Sequence, residues 1–187
     1  VKSIDYKSGL DFYQCTNLKT VVMSDSILSI EKSLFKDCIS LESVKLPQKI
    51  ENLYEELFYN CINLKSITIP EKVRLINHKC FQNCINLKSI TIPKEVYLLG
   101  YSCFQNCQNL KSITIPKSVE TFGSSCFEDC INLVSIKTLE NLTLDNTLSY
   151  VKFSSVAIGS FCFENCQSLA SITILSNLYF LNFGCFK

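Results

Sequence analysis

The chain has 187 residues, 47% of them hydrophobic, and 18 basic against 17 acidic side chains leave a net charge of +1. That length can bury one sizeable core, and the balanced charge argues against nucleic acid as a partner, which asks for a clustered basic excess. No apolar run approaches the ~18 residues that span a bilayer, so no transmembrane segment is expected, and no basic and apolar leader is legible after Val1.

A repeat runs along the chain. Cys15, Cys38, Cys61, Cys84, Cys107 and Cys130 stand 23 residues apart, and Cys166 follows after 36, which is one period plus 13. Cys80, Cys103, Cys126, Cys162 and Cys185 show the same period and the same jump. Further columns share the register. One is Phe12, Phe35, Phe58, Phe81, Phe104, Phe127, Phe163 and Phe186. Others are Leu18 through Leu169, Val21 through Ile172, and Met23 through Ile174. A last one is Ile30, Leu53, Ile76, Leu99, Phe122, Ile158 and Leu181. Such a unit is too small to bury its own apolar face, so stacked coils must build a common core. The expectation is a single domain over 1–187 of about seven coils, partial at both ends, with one insertion at 140–153.

Within a coil, Lys65-Ser66-Ile67-Thr68-Ile69 alternates polar and apolar residues and reads as a short strand. Stacked copies pair as a parallel sheet. Pro47, Pro70, Pro93 and Pro116 end the strand, because proline lacks a ladder donor. In Tyr101–Cys107, the apolar Cys103, Phe104 and Cys107 fit one or two helical turns on the opposite side. Gly100, Gly123 and Gly159 precede that segment and suit a tight turn.

The unit Cys84-Ile85-Asn86-Leu87-Lys88-Ser89-Ile90-Thr91-Ile92-Pro93, followed by Val96, Leu99, Gly100 and Cys103-Phe104, resembles the BspA-like, treponemal-type leucine-rich repeat of 23 residues. The resemblance runs from Asp11 to Lys187. It implies an α/β fold: a right-handed leucine-rich-repeat solenoid with a parallel sheet on the concave face and short helical or irregular segments on the convex face. It also implies a surface or secreted protein of adhesin-like function that binds a host or matrix protein. It brings no catalytic residues and no cofactor. The chain departs from the pattern by placing Cys before Phe. The sixth coil lacks its proline and carries the insertion, so irregular sheet is expected near Thr138.

Twelve cysteines could form a disulfide framework. Leu34 and Leu57 occupy the column of Cys80 and Cys103, which marks packing positions, and an i, i+4 pair on a helix bridges poorly. Buried free thiols acting as small apolar fillers are the expectation, with bridges between coils left open. CxxxC spacing and the single His78 do not make a zinc set. Many free thiols suit a reducing compartment, so a cytoplasmic location stays open beside the surface one.

Outward strand positions form a hydroxyl-rich plate with lysines along one margin. Its candidate partner-binding residues are Lys65, Ser66, Thr68, Lys88, Ser89, Thr91, Lys111, Ser112, Thr114 and Lys137. The plate lacks the aromatic and arginine anchors of strong hot spots, so modest affinity is expected. The insertion, with the sequon Asn141-Leu142-Thr143, is a candidate binding loop. His78 has no nucleophile and carboxylate around it, which points to a structural role. Open coil ends expose core and unpaired strand, so self-association is an alternative to partner binding.

Overall fold

A computed structural model describes residues 3–4, 12–139, 156–172 and 178–187. The insertion at 140–153, with its sequon, lies outside the described residues, as does Thr173.

Each repeat folds into one coil, and the coils stack in parallel register. On the first face, Ser3–Ile4, Thr20–Met23 and Ser43–Lys45 form a three-stranded parallel sheet. Ser89–Thr91, Ser112–Pro116, Ser135–Leu139 and Ser171–Ile172 form a four-stranded one. Equivalent residues lie side by side, with Ile90 against Ile113, Ile113 against Ile136 and Ile136 against Ile172. The isoleucines from Ile90 to Ile136 point inward and are buried, while Ser89, Thr91 and Lys137 face water. This is the inside–outside alternation of a strand.

Two expectations for this face need correction. Residues 66–69 alternate in burial as a strand should, yet they pair with neither neighbour, so the face is split into two sheets at that coil. The sixth coil, in contrast, is regular. Its strand runs to Leu139, as its proline-bearing neighbour runs to Pro116, with Thr138 beside Ile115 and Leu139 beside Pro116.

A second parallel sheet was not expected. Asn52–Leu53, Leu75–Ile76, Leu98–Leu99, Thr121–Phe122, Val156–Ile158 and Leu178–Leu181 form a six-stranded ladder. It carries the column of Leu53, Ile76, Leu99 and Ile158 into the core. Between the sheets, Val73, Val96 and Val119 donate to the carbonyls of Pro70, Pro93 and Pro116 at 3.0–3.1 Å. The prolines therefore close turns as well as ending strands.

The expected helical turns at Tyr101–Cys107 are replaced by another ladder, and the described residues contain no helix. The N–H groups of Ser102, Phe104 and Asn106 donate to Ser124, Cys126 and Glu128 in the next coil at 2.8–2.9 Å. Those of Cys103, Gln105 and Cys107 donate three residues back, to Gly100, Ser102 and Phe104, at 3.1–3.3 Å. Alternate N–H groups thus point along the solenoid axis, where a helix would turn all of them onto its own preceding turn. The geometry uses left-handed backbone twice per coil, at Ser102 (φ 52) and Asn106 (φ 60) in this one. Gln14 fills the second position in the first coil, and Asp37, Asn60, Asn83, Asp129 and Asn165 fill it elsewhere; Asn and Asp tolerate that region best after glycine. Their side chains link coils, as Asn60 Nδ2 donates to Asp37 Oδ1 at 2.8 Å and Asn106 Nδ2 to Asn83 Oδ1 at 2.9 Å.

Gly123 serves a different purpose from a tight turn. A Cβ there would lie 2.3 Å from the backbone nitrogen of Tyr101 in the preceding coil. At 100, 123 and 159 the residue is glycine because two backbones approach closely, while the same column holds Glu31, Tyr54 and Asn77 in earlier coils.

The core is a stack of like on like. From Phe12 to Phe186 the phenylalanine rings follow one another with centroids 5.2–5.5 Å apart and planes within 11° of parallel. Phe35, Phe58, Phe81, Phe104 and Phe127 are fully buried. Full burial of each contributes about 1.5–3 kcal/mol, and offset stacking adds about 0.5–1.5 kcal/mol per pair.

All twelve cysteines are free thiols. They do more than fill space. Cys61 Sγ donates to the carbonyl of Phe35 at 3.1 Å, Cys84 to Phe58 at 3.2 Å, Cys107 to Phe81 at 3.2 Å and Cys130 to Phe104 at 3.1 Å. Each such carbonyl also accepts the N–H of the cysteine three residues on, so both lone pairs are used. Burial pushes the thiols of Cys61, Cys80, Cys84, Cys103 and Cys107 far up from their ordinary range. That of Cys166, less enclosed, rises to about 12 for the same reason. A thiolate is the reactive form, so the fully buried thiols are inert in the folded chain.

Two outcomes follow. Phe104→Ala should destabilise by about 3–5 kcal/mol in urea unfolding, whereas Phe186→Ala, at a half-exposed ring, should cost well under half of that. Alkylation at pH 8 followed by mass spectrometry should modify Cys15 and Cys166 first, and Cys84, Cys103 and Cys107 only after denaturant is added.

Candidate functional site

Pairing on the first face decides where the polar side chains stand. Ser89, Ser112 and Ser135 align across three coils, and Thr91, Thr114 and Lys137 form the next row. Beside them runs the lysine margin, held by its own backbone ladder. Lys88 N–H donates to Lys65 O and Lys111 N–H to Lys88 O, both at 3.2 Å. Lys65, Ser66, Thr68, Lys88, Ser89, Thr91, Lys111 and Lys137 are exposed, and Ser112 and Thr114 are half-buried. The candidate residues therefore lie together on one surface. That surface is interrupted by a shallow groove of about 360 Å³ where Ser66–Ile69 is unpaired, lined by Ser66, Thr68, Ser89, Thr91, Glu71 and Lys94.

The electrostatics are uneven. Lys65 Nζ lies 2.7 Å from Glu42 Oε2, and Lys45 Nζ lies 3.8 Å from Asp25 Oδ2. The hydrogen bond from Lys65 holds the Glu42 carboxyl below the usual carboxylate range. The pairing is present above the ordinary carboxylate pKa and is lost as pH falls through the lowered value. Exposed pairs of this kind contribute little to stability. Lys65 reaches its acid in the neighbouring coil, which the lysine column by itself did not reveal.

His78 is half-buried and structural. Its Nδ1 accepts the Tyr101 N–H at 3.1 Å and its ring stacks on Tyr101 at 4.2 Å. With that nitrogen occupied, it is poorly placed as a general base. Lys36 and Glu56 pair at 2.8 Å outside the plate, and Lys36 also sits 5.0 Å over the Tyr59 ring. The hydrogen bond between them raises the Lys36 pKa and lowers that of Glu56. Among the described residues no group of three or more His, Cys, Asp and Glu converges to hold a metal ion. The plate can offer hydroxyl donors and ammonium charges.

The asparagine and aspartate columns went unread in the sequence, although Asp37, Asn60, Asn83, Asn106, Asp129 and Asn165 each precede a cysteine. That recurrence was the available signal for a left-handed position.

A BspA type leucine rich repeat region matches the chain in 6 copies, over residues 8–134 and 56–187. A solved leucine-rich repeat protein of T. pallidum is 26% identical with a TM-score of 0.75, over 86% of this chain and 69% of that one. One from Bacteroides ovatus is 27% identical with a TM-score of 0.77, over 91% of this chain but only 43% of that one. A third, from Eubacterium ventriosum, is 21% identical with a TM-score of 0.71, covers 86% of this chain and 40% of its own, and shares the fold. No curated protein matches in sequence. The repeat match spans nearly the whole chain and rests on the columns that stack in its core: the protein belongs to the BspA-type leucine-rich repeat family.

Proposed function

We propose that this chain is a non-catalytic protein-interaction scaffold of the adhesin-like kind, at a cell surface or secreted, whose hydroxyl and lysine plate meets a host or matrix protein. One observation carries the reading. Ser89, Ser112 and Ser135, with Thr91, Thr114 and Lys137, are locked in register over buried isoleucines, so the chain presents a rigid surface of repeated donors at little ordering cost on binding. Membership of a family of repeat scaffolds supports it. The same surface would serve an intracellular partner equally well, and the thiol-rich core suits a reducing compartment.

A second reading, self-association, rests on the edge strand Leu178–Leu181 and the turn after it. Phe180, Leu181, Phe183 and Phe186 there are 52%, 49%, 75% and 48% exposed. Contact between this surface and another copy would bury apolar area.

Capture of protein partners from host and own-cell extracts tests the first reading. Reversal of Lys65, Lys88 and Lys111 to Glu should cut capture at least about tenfold while leaving thermal unfolding unchanged. Undiminished capture would remove the plate as the binding face. Light scattering tests the second: concentration-dependent mass that disappears in Phe183→Ser supports self-association, and a strict monomer rules it out.

A further inference from the structure

The plate changes electrostatic character along its length. In the coils that begin at Cys15, Cys38 and Cys61, lysines and acids share the outward columns and meet as ion pairs, Lys65 with Glu42 and Lys45 with Asp25. In the coils that begin at Cys84, Cys107 and Cys130, the corresponding positions hold Lys88, Lys94, Lys111, Lys117 and Lys137, all exposed. None of these makes an ion pair among the described residues. By sequence, Glu95 and Glu140 are the acids in segments 88–95, 111–118 and 134–141, and Val134 stands in the column of Lys88 and Lys111.

The fold enforces this crowding. The backbone ladder sets Lys88 beside Lys111, and the 23-residue repeat puts Lys94 and Lys117 at the same place in the turns that follow, in coils whose strands are about 4.8 Å apart. Ammonium groups on adjacent strands repel one another, and an anion laid over them relieves that repulsion. Between the two lysine rows stand Ser89, Thr91, Ser112 and Thr114, whose hydroxyls can donate to carboxylate oxygens.

We infer that the plate of the Cys84 and Cys107 coils, extended by Lys137, takes an acidic segment of a protein partner, one that presents several carboxylates, while the charge-compensated Cys15 to Cys61 coils do not. The inference rests on the plate being the binding face and adds the chemistry and position of its ligand. The plate positions of these coils, 88, 89, 91, 94, 111, 112, 114, 117 and 137, carry no aromatic ring and no arginine. They therefore lack the stacking platforms on which single-stranded nucleic acids are held and the planar fork that grips phosphate bidentately.

Fluorescence anisotropy on the full chain tests it, with a labelled glutamate peptide of about ten residues, the matching glutamine peptide, and heparin as a sulfated glycan. The glutamate peptide should bind more tightly than the glutamine peptide, and its binding should fade between about 0.05 M and about 0.5 M salt. The triple variant Lys88→Gln, Lys111→Gln, Lys117→Gln should weaken it at least about tenfold. The matched variant Lys19→Gln, Lys49→Gln, Lys72→Gln should weaken it less than about twofold. Equal binding of the two peptides, equal losses in the two variants, or tighter lysine-dependent binding of heparin would each overturn the inference. Failure here with partner capture still abolished by the first triple variant would overturn the acidic ligand and spare the plate. Capture untouched by that variant would overturn both.

Discussion

Coil-on-coil registry is the constraint from which the rest of this structure follows. A 23-residue unit has no interior of its own, so its phenylalanine, leucine and isoleucine leave water only when the next unit lies over them with the same residues at the same places. The phenylalanine ladder is the clearest expression of this. Rings that repeat at 5.2–5.5 Å, nearly parallel, fit only if successive coils neither shift nor rotate much. A slip of one residue would bring the polar neighbours of Phe81 and Phe104 into the stack.

The backbone obeys the same constraint. Strands on two faces hydrogen-bond along the axis, and so do alternate residues of the turns between them. Axial bonding explains the left-handed residues and the glycine column, since both bring a backbone group close to the coil below. It also explains cysteine. The thiol is small enough for the apolar column and still donates to the phenylalanine carbonyl of the preceding coil, so a buried acceptor is satisfied without a larger polar side chain.

Registry then shapes the surface. Whatever stands outward in one repeat stands beside its equivalents in the next, so a single serine or lysine becomes a row. Where the row alternates in sign, as at Glu42 and Lys65, it neutralises itself. Where it does not, as at Lys88 and Lys111, charge accumulates. Small sequence differences between repeats thus become broad differences in potential along a rigid plate.

The sequence by itself determined the repeat, the core columns, the alternating first face and its exposed hydroxyl and lysine positions, because each depends on residues that recur at a fixed spacing. Three things were decided only by the assembled coils. The turn at Tyr101–Cys107 reads locally as helix, and it unfolds into a ladder because the adjacent coil offers Ser124, Cys126 and Glu128 carbonyls that a lone segment lacks. The second sheet escaped notice because its pieces in the Cys38 to Cys107 coils, such as Asn52–Leu53 and Leu98–Leu99, are two residues long and become strands only when stacked. The pairing of Lys65 with Glu42 joins residues a full repeat apart, and a contact along the solenoid axis exists only once the coils lie on one another.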